Sequence, residues 1–188
     1  MIRTGQTIEN PVTRERVTFL RTAADTKGAS VLVSVAVEPG GAVAAAHVHP
    51  YQTERFEITD GKVEFQLGRE KILATRGDMV TVDRGVVHSF RNAGDDEARF
   101  IAEVTPALGF ERFLETMFAL AADGKTSKRR MPNPLRLAVI ANAHFDLVRL
   151  PYVPAFMQKA TLAVGAALGR AVGYESSYSP AGDAAAAL

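Results

Sequence analysis

The sequence predicts a mainly β protein, an antiparallel barrel of two sheets over about residues 12–105 followed by about three α-helices. Two observations carry that prediction. Up to about residue 105, apolar side chains recur at every second position in short runs broken by turn residues, the period of half-buried strands. Beyond residue 105 the period becomes helical. Many short strands with no helix between them argue a sandwich or a barrel.

Taken in order, Val31, Val33, Val35 and Val37 alternate with Leu32, Ser34 and Ala36 in a β-branched run. Glu54, Phe56 and Ile58 then share one face, and Arg55, Glu57 and Thr59 the other. The first of these is the face a barrel would bury. Val63, Phe65 and Leu67 repeat the alternation, as do Ala98, Phe100, Ala102 and Val104. Asp60-Gly61 and Gly68-Arg69 read as tight hairpin turns, and Asn92 to Asp96 as a longer one.

Past the strands, Phe110, Phe113, Leu114, Met117, Phe118 and Ala121 recur at helical spacing, with Glu111, Arg112 and Glu115 off the stripe. The stripe reads as a core face. Residues 124–134 form a linker rich in breakers, whose Lys125, Lys128, Arg129 and Arg130 are expected in solvent rather than around an anion. Helices are expected near 135–149 and 155–172, separated by Pro151 and Pro154. Gly165, Gly169 and Gly173 lie four apart, which lets helix backbones approach closely. The apolar run from Ala160 to Gly169 is too short for a transmembrane span, which needs roughly 20 residues. The end, SSYSPAGDAAAAL, is expected to fray. These readings divide the chain into a barrel domain, 1–108, and a helical extension, 109–188, that is not an independent domain.

Composition excludes several classes. With 22 basic and 21 acidic residues there is no nucleic-acid footprint. The absence of cysteine excludes a disulfide scaffold and any thiolate ligand, and suits a reducing, cytoplasmic location. The N-terminal stretch lacks the apolar core of a secretory signal.

The chemistry concentrates in four residues. The chain has only four histidines, and His47, His49 and His88 join Glu54 in a ligand-like constellation. Two histidines at i and i+2 on a strand point to the same face, with Cα atoms roughly 6.6 Å apart. Both imidazoles can then converge on one ion while a carboxylate and a third imidazole arrive from other strands. Such a set suits one divalent transition metal (iron, manganese, nickel, cobalt, copper or zinc) at roughly 2.0–2.2 Å. It does not suit calcium or magnesium, which prefer oxygen shells. A buried carboxylate such as Glu54 needs a partner or a metal. His144, in a helical stretch, is read as structural or solvent-facing.

These residues fall into two motifs. The first has Gly41, His47, His49, Glu54 and Gly61; the second has Gly77, Gly85, His88 and Asn92. At this spacing the chain resembles the cupin superfamily over roughly residues 28–105. Asp83 stands where that family usually has proline, and is expected to cap the turn through its own side chain. The resemblance implies a double-stranded β-helix, or jelly roll, with the metal inside and a homodimer as the assembly.

It also implies a function. A mononuclear metal with open positions suits an oxygenase-type enzyme acting on a small organic molecule, with isomerase or lyase chemistry as variants. Glu54 is the candidate catalytic group, as a ligand that could release the metal and act as a base. Phe56, Phe65, Met79 and Phe90 are the candidate pocket residues, which lean toward a hydrophobic ligand or simply fill the barrel. The alternative is a non-catalytic binding or sensing barrel whose helical tail is a partner or dimer surface.

Overall fold

A computed structural model describes residues 2–179. Ten strands precede three helices: β1 (Thr7–Asn10), β2 (Glu15–Arg21), β3 (Val31–Val37), β4 (His47–Val48), β5 (Thr53–Asp60), β6 (Lys62–Leu67), β7 (Glu70–Thr75), β8 (Met79–Val82), β9 (Val87–Asn92) and β10 (Ala98–Thr105), then α1 (Phe110–Ala122), α2 (Pro134–Ala143) and α3 (Ala155–Ala171). One sheet has the order β1-β2-β3-β10-β5-β8 and the other β4-β9-β6-β7, with antiparallel neighbours throughout. The barrel begins at Thr7, earlier than expected, because β1 pairs with β2 from Thr7↔Thr18 to Asn10↔Glu15.

The inner faces meet in one apolar core. Val17, Phe19, Val33, Phe56, Ile58, Phe65, Val80 and Phe100 are all buried in it, as the period-two reading requires. Phe56, Phe65, Phe90 and Phe100 pack ring against ring, with centroids 5.0 Å apart for Phe56–Phe65 and 5.2 Å for Phe90–Phe100.

Only one of the three turns is a hairpin. Gly68-Arg69 joins the paired strands β6 and β7. Asp60-Gly61 instead carries the chain from one sheet to the other, since β5 pairs with β8 and β10 while β6 pairs with β7 and β9. The Asn92–Asp96 turn is likewise a corner between sheets. Gly61 is required at its corner: φ is +71°, and a Cβ there would lie 2.8 Å from the Ala98 Cα. Asn92 holds the other corner, donating from Nδ2 to the carbonyls of Val37 and Asp96 and accepting from Gly94 N–H.

α1 lays its aromatic stripe on the barrel, with Phe110 and Phe118 in the core and Phe113, Leu114 and Met117 packed against it. α2 starts at an Asn133 cap, whose Oδ1 accepts from Leu135 N–H, with Pro134 in the first turn. It ends at Ala143 and not near residue 149, because the chain leaves the helix to pair with the barrel. There Val48 N–H donates to the Arg149 carbonyl at 3.0 Å and Arg149 N–H to the Val48 carbonyl at 2.9 Å. α3 lies on α2. A Cβ on Gly165 would sit 2.8 Å from Ala138 Cβ, and one on Gly169 would sit 2.7 Å from the Leu135 carbonyl oxygen. Gly173 makes no such approach; its φ of +87° lies just past the end of the helix.

In the basic linker, Arg130 is tied to the barrel through the Ala42 carbonyl, while Lys128 and Arg129 are exposed. The fraying expected for the chain end falls partly on residues 180–188, outside the described residues. Before them, Tyr178 is docked, its N–H donating to Thr116 Oγ1 and its hydroxyl to Asp123.

Candidate metal centre

β4 and β9 pair so that His47 lies directly opposite His88. His49 follows on the same face as His47, and Glu54 reaches the same point from β5 in the other sheet. The four side chains converge: each offers a ligand atom, and these atoms lie within 4.8 Å of one another. Ring centroids are 4.3 Å apart for His47 and His88, and 4.9 Å for His47 and His49. His49, Glu54 and His88 are buried and His47 is half-buried.

Each imidazole is oriented by a backbone carbonyl on Nδ1: Ala45 for His47 at 2.9 Å, Leu147 for His49 at 2.6 Å, and Val86 for His88 at 3.0 Å. With Nδ1–H donating in each, the three Nε2 lone pairs face the centre, the tautomer a metal ligand requires. The Glu54 carboxylate oxygens lie 3.6 Å from His49 Nε2 and 2.8 Å from His88 Nε2. His88 Nε2 is nonetheless buried with no aligned hydrogen-bond partner. A lone pair facing a carboxylate at that distance is repulsive unless a cation, proton or metal ion, lies between them. The residues therefore fit a divalent ion, and they can hold one.

The electrostatics agree. Burial, reinforced by the neighbouring His88 and His49, pushes His47 down to about 3 and so favours its neutral, ligating form. Burial alone would raise Glu54, but His49 and His88 outweigh it and hold the carboxyl at about 2. Burial works to lower His88, and the hydrogen-bonding and charge of Glu54 overcome it, leaving His88 raised.

The other sequence candidates divide. Phe56 and Phe65 are buried inside the barrel and Phe90 is half-buried beside them. Met79 is not inside: it is 59% exposed and pairs with Glu57 on the outer face, so Val80 and Val82 are the inward residues of β8. The error was one of phase, because the glycine turn before β8 resets which parity faces inward. The Asp83 turn is closed by its backbone carbonyl, which accepts from Val86 N–H at 3.1 Å, and Gly85 takes φ +82°; the expected side-chain cap is not what closes it. His144 is structural, buried at the end of α2 with its ring 5.5 Å from that of Phe113.

Two buried features escaped the sequence reading. The Leu147 carbonyl comes from the tail, 98 residues away, and a carbonyl has no side-chain signature. Gln52 was legible by parity with Glu54. It is buried, donates from Nε2 to the Pro106 and Ala107 carbonyls, and leaves Oε1 without a partner.

Comparison with known proteins agrees with this architecture. A family model described as a cupin domain matches residues 33–103. "Polyketide synthase CurC" of Streptomyces cyaneus is 33% identical over 79 residues, covering 41% of this chain and 50% of that protein. "Protein SchB" of Streptomyces halstedii is 34% identical over 85 residues, covering 45% and 59%. The chain thus spans little more than half the length of these curated relatives. Among solved structures, a predicted oxalate decarboxylase from Thermotoga maritima superposes with a TM-score of 0.50 at 22% identity, covering 56% of this chain and 98% of the other. That likeness is one of fold alone.

Proposed function

We propose, from the match of residues 33–103 to a cupin domain, that the chain is a cupin and a metal-dependent, oxygenase-type enzyme acting on a small organic molecule. The observation that carries the reading is the convergence of three Nε2 atoms and one carboxylate, with each imidazole locked by a carbonyl on its far side. His47, His49, Glu54 and His88 would hold a mononuclear transition metal. Such an ion supplies Lewis acidity and, if redox-active, electron transfer to a bound ligand.

The chain's own residues do the rest. The Ala45, Leu147 and Val86 carbonyls keep the three imidazoles neutral at Nε2 and fixed in direction. Glu54 supplies the negative charge that a divalent cation needs in a buried site. Its carboxyl, held at about 2, suits a ligand better than a general base, whose best pKa lies near the working pH. Glu54 therefore acts first as a ligand in this proposal, and proton transfer is its secondary role. Phe56 and Phe65 close the interior behind the site with Phe90 half-buried beside them, and the name of one relative suggests a substrate of polyketide type. By family resemblance we also infer a homodimer, and from the absence of cysteine a cytoplasmic location.

One observation favours a second reading, a non-catalytic ligand-binding barrel. The four packed phenylalanines occupy much of the interior that a substrate would need. The test is metal analysis of protein purified from its own host, followed by oxygen uptake with aromatic and polycarbonyl candidates. Stoichiometric metal with substrate-dependent oxygen consumption supports the enzyme. Stoichiometric metal and tight ligand binding without turnover would move the assignment to the binding barrel, and protein that takes up no transition metal would sink both.

A further inference from the structure

α3 is attached to the rest of the molecule along one side only. Within it, Gln158, Ala166 and Gly169 are the buried residues; Gly169 abuts α2, and Gln158 bonds back to Leu150 and Val153 in the loop before the helix. Phe156 (75% exposed), Met157, Val164 and Leu168 stand in solvent, and Tyr152 (86%) and Val172 extend the strip at its two ends. At 100° per residue, these helical positions and the exposed alanines beside them cover an arc of about 140°, with exposed Thr161 at its far border. A continuous apolar strip of this breadth, in a molecule whose barrel hides nearly all its aromatics, marks an interaction surface.

Charge decides the occupant. α3 contains no acidic residue; Lys159 and Arg170 are its charged side chains, both exposed, and both fall along one border of the apolar arc. Packing α3 antiparallel on its own copy about its midpoint, Ala163, would set Lys159 opposite Ala167 and Arg170 opposite Phe156, with no carboxylate on either helix to meet the two cations. A parallel pairing sets like against like. An anionic lipid surface satisfies both features: the arc enters the acyl boundary while the two cations reach the headgroups. Tyr152 has the amphipathic ring favoured at that depth.

We propose that α3 and the loop before it seat this protein on an anionic bilayer surface, with the helix lying in the interface. It does not span: among the described residues no helix is long and apolar enough to cross a membrane. The loop continues directly from Arg149, which pairs with Val48 between the two strand histidines, so a docked α3 would hold the metal centre close to the lipid.

The experiment is flotation of the full chain with vesicles of phosphatidylcholine alone or mixed with phosphatidylglycerol. Binding to the mixed vesicles should exceed that to neutral ones by about tenfold and fall as salt is raised. Lys159→Glu combined with Arg170→Glu should remove that preference. Phe156→Ser combined with Leu168→Ser should abolish flotation while leaving thermal unfolding and metal content unchanged. Should the serine variant fail to fold, the wild-type comparison of the two lipid compositions across salt decides alone. Failure to float with either vesicle, or equal binding to both at every salt concentration, overturns the proposal. So does a wild-type dimer that ignores vesicles and is split by the serine changes, which would make a second copy the occupant.

Discussion

The barrel and α3 treat their apolar residues in opposite ways. In the barrel, Phe65 and Phe100 are each 1% exposed, and each strand spends its inward positions on a shared core. In α3, Phe156 and Leu168 are as apolar yet lie in water, and only Gln158, Ala166 and Gly169 are buried. The barrel thus closes on itself, whereas α3 leaves an apolar face uncovered among the described residues. The two regions also differ in what they give the metal centre. The barrel supplies all four ligands, and the tail supplies the Leu147 carbonyl that aims one of them. The tail therefore has two parts, a seam that belongs to the site and a helix that does not.

The largest expected effect tests that contrast in stability. Phe65→Ala or Phe100→Ala removes a ring from a filled interior and should cost about 3–5 kcal/mol in urea unfolding. Phe156→Ala should change stability by no more than about 0.5 kcal/mol. Equal losses would mean that α3 is buried in solution and that the contrast is false.

Next in size is the contrast between histidines. His88→Ala removes a ligand and leaves Glu54 buried without its nearest partner, so metal affinity should fall by about 100-fold or more in a competition titration. His47→Ala should act similarly. His144→Ala, in the same chain and also buried, should leave metal content at the wild-type level while costing stability through its contact with Phe113. Loss of metal in the His144 variant would show that the tail reaches further into the site than its one carbonyl.

A smaller effect probes the seam. Arg149→Pro deletes the N–H that donates to the Val48 carbonyl and so loosens the segment carrying Leu147. Metal affinity should fall about tenfold, as expected when an orienting partner of a ligand is disturbed and the ligand itself remains. Since the Leu147 carbonyl of the tail orients His49, truncation of the tail is expected to lower metal binding as well.

How much of this was legible in the sequence follows from which physical signals are local. Strand parity is local, so Glu54, Phe56 and Ile58 were placed on the inner face correctly. The clustering of His47, His49, Glu54 and His88 was legible because a histidine-poor chain put three of its four histidines at strand-compatible spacing. Two kinds of feature were not legible. Parity does not carry through a turn, which is why Met79 was assigned inward although Val80 is the inward residue. A two-residue turn also looks the same whether it returns to a neighbouring strand or crosses between sheets, so Asp60-Gly61 was read as a hairpin. Long-range backbone contacts such as Arg149 with Val48 have no side-chain signature, and for that reason the end of α2 was placed six residues too late.

The smallest effect concerns pH, and it separates the centre from the rest of the barrel in metal-free protein. His47 falls from 6.5 in the unfolded chain to about 3 in the folded one, chiefly through burial. Between those values the unfolded state binds a proton that the folded state refuses, so stability is lost as pH falls from 6.5 toward 3. Glu54, lowered from 4.5 to about 2 against its burial, adds a second loss as pH falls from 4.5 toward 2. His88 is raised and works the other way: its contribution is present below 6.5 and is lost as pH rises through its folded value. Metal-free protein should therefore show Tm falling on acidification below 6.5, by a few degrees for each kcal/mol lost. His47→Gln, which cannot titrate, should flatten that slope between 6.5 and 4.5, reduce it between 4.5 and 3, and leave the Glu54 share below 4.5. An unchanged slope in the variant would place the acid sensitivity in a group other than His47 and other than the buried Glu15 of β2. That residue is raised to about 7, mainly by burial, and so contributes with the opposite sign: stability lost as pH climbs from 4.5 toward 7.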